Sequence, residues 1–579
     1  MPTVNIASHL KDMAQHHAEQ LAVLFPASRD GKGRTQYSSF TYKKLDEESD
    51  FLAAGLDEIG IGRGVKTVLM VPPSLEFFSL TFALFKIGAV PVLVDPGIGI
   101  KNLGKCLTEA EPEAFIGIAK AHVARLLFGW AKKSLKQLVT VDRRFGWGGH
   151  GLVQVANLGR LRHSNSARPN EQWKAAETEA DETAAILFTS GSTGVPKGAV
   201  YSHGNFAAQI AALKQAFGIK PGEIDLCTFP LFALFAPALG MTAVIPRMDF
   251  TKPATVDPRE IAEPIARFGI NNLFGSPALL NRVGRNWKPE LKTDKTPQQA
   301  SAALSPTWPS LRRVLSAGAP VSPEILERFS TFLSPDSQIY TPYGATESLP
   351  VAVIGSHEIL HETRQLTEQG SGTCVGRPVE SIEVRIIGIT DEPISQWSDQ
   401  LCLPQGQIGE IVVHGAMVTQ HYYKRPDLTA IAKIRDPATG RMRHRMGDVG
   451  YFDDHGRLWF CGRKSHRVVT SDRTYFTEPV EGIFNGHPAV FRTALVGVVR
   501  AGKTELVLCV EREPQQSLNE KSHLSDQQLI AELQELGSRF ELTRSIQTFL
   551  FHPSFPVDIR HNSKIFREKL AVWATSIVK

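Results

Sequence analysis

Through the first half of the chain, amphipathic helical patterns alternate with short β-branched and aliphatic runs, and this alternation restricts the fold more than any other feature. Phe51 to Glu58 and Leu75 to Ile87 read as helices, while Val65 to Val71 and Val90 to Val94 read as strands, the latter buried. Further strands are expected at Ala114 to Ile118, Leu138 to Val141, Ala184 to Thr189, Leu226 to Phe229, Asn272 to Phe274, Arg313 to Ala317 and Gln338 to Tyr340. Such an order predicts parallel sheets covered by helices, an α/β fold. After Cys374 the pattern changes, and Ile382 to Ile389 and Gly409 to His414 read as antiparallel strands. A smaller unit begins near Arg463, with strands at Ala494 to Val499 and Glu505 to Glu511 and a helix around Gln527 to Phe540.

At 579 residues the chain exceeds what one core accommodates, so at least two domains are expected. Apolar content of 42% and charged content of 21% exclude a disordered class. With 64 basic against 59 acidic residues and no long single-sign block, nucleic acid is not the default partner. Six scattered cysteines, without a CxxC pair, point to a reduced cytoplasmic setting and away from a zinc site. Met1 to Leu24 carries charges on an amphipathic helical pattern, and no secretory signal is visible. Leu226 to Pro246 has no charged residue, but Pro230, Pro237 and Pro246 argue against a spanning helix. A buried wall or apolar tunnel fits better, and contact with a membrane surface stays open. Trp147 to Asp181 and Asn286 to Pro309 read as polar surface insertions.

Four clusters carry chemistry. Thr189-Ser190-Gly191-Ser192-Thr193-Gly194-Val195-Pro196-Lys197-Gly198 places four hydroxyls, three glycines and one lysine in a single run. Glycines let backbone N–H groups approach an anion, hydroxyls donate further hydrogen bonds, and lysine adds a mobile charge, so the run suits phosphate. It is not a Walker loop, because Lys197 follows proline and precedes Gly198. Tyr343-Gly344-Ala345-Thr346-Glu347 offers a ring for a nucleobase and a carboxylate for Mg²⁺. Gly447-Asp448, followed by Gly462-Arg463, supplies an acid of the kind that holds ribose hydroxyls. The fourth cluster is Pro556 to Arg567, with Lys564 near its end.

In this order the clusters resemble the adenylate-forming superfamily of acyl-CoA synthetases, luciferases and peptide-synthetase adenylation domains. The resemblance spans nearly the whole chain and includes Phe40-Thr41-Tyr42, Gly88-Ala89-Val90 leading to Asp95-Pro96, and Ser316-Ala317-Gly318-Ala319-Pro320. It implies a large N-terminal AMP-binding domain, 1–463, of parallel-rich sheets covered by helices plus a small β-barrel-like subdomain. A small mobile α+β C-terminal domain, 464–579, would turn about Ser465. It also implies ATP and Mg²⁺. Ser190 to Lys197 would cradle the phosphates, Gly318, Ala319 and Pro320 would border adenine, and Tyr343 would stack on it beside Gly344. Thr346 would touch the α-phosphate, Glu347 would bind Mg²⁺, Asp448 and Arg463 would fix the ribose, and Lys564 would bridge carboxylate and phosphate.

Three positions depart from the pattern. A glycine that passes the pantetheine arm in acyl-CoA ligases is Asp472 here, the pivot is Ser465 where acid or lysine is usual, and Ser563 replaces the glycine before the lysine. These changes leave adenylation intact and put the CoA step in doubt. The chain is similar to the β-lactone synthetases of bacterial long-chain olefin biosynthesis, which implies a long-chain 2-alkyl-3-hydroxyalkanoic acid whose own hydroxyl expels AMP. It also implies a decarboxylating partner enzyme of that pathway. Phe232, Ala233 and Phe235 are the candidate acyl-tunnel residues, with ordinary core packing the alternative. A long-chain fatty acyl-CoA ligase, an acyl-carrier-protein ligase and a non-catalytic nucleotide-binding protein remain rival readings. His203, His414 and His444 are available as a base for the hydroxyl, and none is assigned.

Overall fold

The computed structural model describes residues 4–94, 98–164, 174–189, 196–229, 235–287, 307–514, 524–557 and 564–578. The helix Leu75–Lys86 sets the layering of its larger part. Its sequence is apolar on all sides, and every residue from Phe77 to Lys86 is buried, as such a helix requires. It touches the strands Leu21–Arg29 and Val90–Val94, which belong to different sheets. Ser74 caps it, its Oγ accepting from the Phe77 N–H at 3.2 Å. Lys86 pairs with Asp46 and Asp50 of the helix Tyr42–Glu58, each at 2.6 Å. Full burial of Phe78, Leu80 and Leu84 contributes about 1.5–3 kcal/mol apiece.

The two sheets flanking this helix are built alike. One runs Gln338–Tyr340, Arg313–Leu315, Asn272–Phe274, Ile224–Cys227, Thr242–Val244 and Leu21–Arg29, all parallel, and ends on the antiparallel Thr35–Thr41. The other runs His150–Gly151, Gln137–Thr140, Ala114–Gly117, Lys66–Met70, Val90–Val94 and Thr183–Thr189 in parallel, and ends on the antiparallel Lys197–Ser202. The parallel α/β expectation is thus met. A third, antiparallel sheet has the order Tyr343–Ala345, Ser348–Val353, Thr373–Pro378, Leu458–Arg463, Met442–Phe452, Gly409–Gly415, Ile382–Ile387, with Lys433–Arg435 beside Met442–Phe452. The β-barrel-like subdomain is corrected to an open sheet, since among the described residues its two end strands do not pair. The first is only three residues long, and Tyr343 and Gly344 line a cavity, leaving too little edge to close a ring.

After Arg463 comes a short hairpin, Val468–Val469 with Thr474–Tyr475, and then a separate three-stranded sheet. Val490–Arg500 lies antiparallel to Lys503–Arg512, which runs parallel to Thr548–Phe551. The helices Thr477–Asn485, Asp526–Ser538 and Arg567–Ile577 accompany it. Its two apolar cores draw only on residues from Val468 onward.

Three expectations are revised. Trp147 to Asp181 contains the helix Leu152–Ser164, which packs on Tyr42–Glu58 and buries Val155 and Ala156. Two glycines let the backbones touch: a Cβ on Gly55 would lie 1.9 Å from the Val155 carbonyl oxygen, and one on Gly159 1.8 Å from that of Phe51. Asn286 to Pro309 is anchored at both ends by Trp287 and Trp308, buried with ring centroids 6.0 Å apart; residues 288–306 lie outside the described residues. The N-terminal helix covers Ser8–His16, and Leu21 already begins a strand. The uncharged stretch from Leu226 divides into a strand end, the short helix Phe235–Leu239 and the strand Thr242–Val244. Among the described residues no helix is long and apolar enough to cross a membrane.

Candidate active site

Three parallel strands, Asn272–Phe274, Arg313–Leu315 and Gln338–Tyr340, end on one cavity of about 370 Å³. The carboxyl ends of parallel strands are where open α/β sheets bind ligands. Leaving the middle strand, the chain passes Ser316, whose buried Oγ has no hydrogen-bond partner among the described residues. It then turns at Gly318, whose φ of +97° favours glycine. Gly318, Ala319, Pro320, Tyr343, Gly344, Asp448, Arg463 and Lys564 all line this cavity.

Asp448 and Arg463 meet because Met442–Phe452 and Leu458–Arg463 pair with these two residues in register. Arg463 Nη1 stands 2.9 Å from Asp448 Oδ1, and Tyr343 OH donates to Oδ2 at 2.6 Å. Burial raises the Asp448 pKa, with Arg463 and Tyr343 opposing it. Gly447 beside it has φ +68°, so the backbone turn that presents the carboxylate favours glycine.

Thr346 and Glu347 occupy the tip of a hairpin in which Ala345 pairs with Ser348. Tyr201 OH donates to the Thr346 carbonyl and holds that tip. Glu347, 6% exposed, accepts a 2.5 Å hydrogen bond from Tyr422 OH, which in turn accepts from Lys197 Nζ at 3.0 Å. Lys197 Nζ stands 3.8 Å from Glu347 Oε1. Burial alone would raise the Glu347 pKa; His444, Lys197, the Tyr422 hydrogen bond and Lys433 outweigh it and bring it down to about 2. Buried Lys433, brought down to about 7 chiefly by burial, lies within electrostatic reach of Glu347. Among the described residues no group of three or more His, Cys, Asp or Glu forms a metal cage. One ionised carboxylate beside a phosphate site is the arrangement Mg²⁺ commonly uses.

Lys564 lines the same cavity and is flanked by tied-down neighbours. Val557 and Ile565 form an antiparallel bridge, the Phe566 N–H donates to the Pro556 carbonyl at 2.8 Å, and Arg567 Nη2 meets Glu481 Oε2 at 2.5 Å. Glu481 sits on the helix Thr477–Asn485, which packs against 364–368 through Gly482.

The structure therefore gathers the adenine, ribose and lysine candidates around one cavity. It sets Thr346, Glu347 and Lys197 close by in a linked cluster outside the cavity lining. Thr189 pairs with Lys197 across antiparallel strands, while Ser190, Gly191, Ser192, Thr193 and Gly194 lie outside the described residues, as do Phe232 and Ala233. Phe235 is half-buried, 6.0 Å from Phe206, whose ring stacks on Tyr201 at 4.8 Å. That aromatic series leads from the acyl-tunnel candidate to Thr346. Of the three histidines, His203 is buried against Phe85, His414 contacts Thr439 Oγ1 at 3.2 Å, and His444 contacts the Ala432 carbonyl at 3.1 Å; none lines the cavity. His466 does. Sequence reasoning missed it, because a buried unpartnered nitrogen shows only in the fold, and it missed Tyr422, Lys433 and the Arg567–Glu481 pair because each acts on a partner far away in the chain.

This geometry is that of a nucleotide-dependent acyl-activating fold. The chain belongs to the AMP-binding enzyme family, whose model matches residues 10–423. It is 50% identical, over 99% of its length and 98% of the relative's, to a protein of Stenotrophomonas maltophilia named olefin beta-lactone synthetase. A protein of the same name from Xanthomonas campestris is 49% identical over 98% of this chain and 97% of its own. Among solved structures, the amide bond synthetase McbA from Marinactinospora thermotolerans superposes with a TM-score of 0.74 at 21% identity, covering 98% of this chain and 99% of its own.

Proposed function

We propose that the protein joins a long-chain 2-alkyl-3-hydroxyalkanoic acid to AMP, using ATP and Mg²⁺, and then closes it to a β-lactone with release of AMP. The observation that carries this reading is one cavity lined both by the Asp448–Arg463–Tyr343 group and by Lys564. The name shared by the two relatives near 50% identity supports the lactone product.

In this reading Gly318 to Pro320 and the Tyr343 ring receive adenine, and Asp448 with Arg463 receives the ribose hydroxyls. A carboxylate approaches an anionic phosphorus against charge repulsion. Lys564 lowers that repulsion by lying between the two reactants and holding them in line. Glu347, kept ionised before any metal arrives, would hold Mg²⁺, which supplies charge neutralisation on the phosphates. Lys197 and the 189–198 run would take the rest of the phosphate charge. Residues 1–463 and 464–579 act as two units turning about Ser465, a division supported by the self-contained cores after Val468.

Asp472 favours the internal hydroxyl over CoA. It sits exposed on the Val468–Tyr475 hairpin, with Thr470 Oγ1 2.5 Å from its Oδ1, and that contact lowers its pKa. A fixed negative charge there opposes an anionic carrier. Six unpaired cysteines accord with a cytoplasmic location, and the product lactone calls for a partner enzyme that removes carbon dioxide. Incubating the protein with ATP, Mg²⁺ and the hydroxy acid, with and without CoA, separates the readings. Lactone in both samples supports direct cyclisation, whereas lactone only with CoA, or acyl-CoA as the product, excludes it.

A further inference from the structure

Ring closure needs an acceptor for the hydroxyl proton. We infer that His466 takes this proton through its Nδ1, an inference that rests on the lactone reading above. His466 ends the short turn Lys464–His466, directly after Arg463, and lines the same cavity as Lys564 and Asp448. Its Nδ1 is buried and has no hydrogen-bond partner among the described residues. A buried ring nitrogen without a partner is costly unless a ligand completes it.

Both sides of the turn are fastened to the larger part of the molecule. Lys464 Nζ donates to the Thr390 carbonyl at 2.7 Å and lies 3.2 Å from buried Glu410, while Arg467 Nη2 meets Asp391 at 2.7 Å. The imidazole is thus positioned from both flanks, as proton transfer in a strained ring closure requires.

The charged groups around the cavity are Arg463 and Asp448 from the antiparallel sheet, Glu478 and Glu481 from Thr477–Asn485, Arg492 from Val490–Arg500, Lys564 with Arg567, and Glu324, Arg364 and Glu368 from the helices Pro323–Ser330 and Arg364–Glu368. Burial first, then the charges of Arg567, Arg463 and Lys564, push the His466 pKa down to about 3. The ring is therefore neutral, and the tautomer with its proton on Nε2 leaves the Nδ1 lone pair to accept. In the reading above Lys564 faces the adenylate phosphate, whose negative charge offsets that one cation's share of the lowering and so strengthens His466 as a base.

In the step itself, a lone pair of the 3-hydroxyl oxygen forms the C–O bond to the acyl carbon. The bond from that carbon to the phosphate oxygen breaks, AMP leaves with the electron pair, and the hydroxyl proton passes to Nδ1 and then to solvent. No oxidant or further reactant is needed. His466 and Lys564 line one cavity, so the groups assigned to the two half-reactions face the same space in this arrangement.

Rapid-quench single turnovers of His466→Ala and His466→Gln, following diphosphate and lactone together, test this. Diphosphate release should stay within about threefold of wild type, which also shows that the variants fold, while lactone formation falls at least 100-fold, the usual span of a lost general base. Added imidazole should partly restore lactone in His466→Ala. Parallel loss of diphosphate and lactone, or lactone within threefold of wild type, overturns the assignment to His466 alone. Absence of lactone from the wild-type protein overturns the underlying reading, before any variant is compared.

Discussion

Replacing Arg567 with methionine leaves Glu481 as a buried carboxylate without its cation. The pair is 2.5 Å apart, with side chains 13% and 4% exposed, and breaking such a pair costs about 3–5 kcal/mol. The cost depends on pH. Burial raises the Glu481 pKa from 4.5 to about 7 even with Arg567 opposing. A folded-state pKa above the unfolded one gives stability that is complete below pH 4.5 and is lost as pH rises through about 7. Without Arg567 the loss deepens, so the variant should be little affected at pH 5 and strongly destabilised at pH 8. Hydrogen exchange in the helix Arg567–Ile577 reads this locally, with roughly a 100- to 5,000-fold rise in opening at pH 8. Adding Glu481→Gln removes the orphaned charge and keeps an acceptor for the Leu495 N–H, now at 2.8 Å; exchange should return to within about 1 kcal/mol of wild type. Lys564 lies three residues away, so diphosphate release should slow with the exchange. Equal exchange of the single variant at the two pH values, or no rescue by the second change, would refute the reasoning.

Three further outcomes follow from the site. Lys564→Ala should lower diphosphate release at least 100-fold while ATP binding by calorimetry stays within about threefold, the signature of transition-state stabilisation; normal release removes Lys564 from the chemistry. Tyr422→Phe deletes the hydrogen-bonded route between Lys197 and Glu347 and leaves their 3.8 Å ion pair; a hydrogen bond to a charged group is worth about 1.5–3 kcal/mol. Its kcat/KM for MgATP should drop roughly 10- to 100-fold, and an unchanged value would contradict the linked cluster. Gly482→Val puts a Cβ 2.6 Å from the Thr367 carbonyl oxygen; overpacking of about 1–3 kcal/mol should slow adenylation several-fold or more without raising exchange in the strands Val490–Arg500 and Lys503–Arg512. Faster exchange there would show unfolding instead.

The parallel sheets were legible because buried strands such as Val90–Val94 and Asn272–Phe274 are short apolar runs whose bounds the sequence marks and the structure repeats. The helix Leu152–Ser164 was not, since its contact with Tyr42–Glu58 depends on Gly55 and Gly159 bringing backbones together, which leaves no apolar stripe to read. Trp287 and Trp308 look like parts of a polar insertion until a fold buries them. In the site, residues in compact motifs were found, whereas Tyr422 lies 75 positions from Glu347 and Arg567 lies 86 from Glu481. Only the fold brings these partners together. His466 stood next to a recognised motif, but its significance lies in an orphaned nitrogen that a sequence does not reveal.

The most direct measurement uses the hydroxy acid with both carboxyl oxygens replaced by ¹⁸O, supplied with ATP and Mg²⁺ and no CoA. Adenylation followed by attack of the internal hydroxyl places one heavy oxygen in AMP and leaves one in the lactone carbonyl, with the ring oxygen unlabelled. Unlabelled AMP, release of ADP in its place, or a lactone that keeps both heavy oxygens contradicts that chemistry.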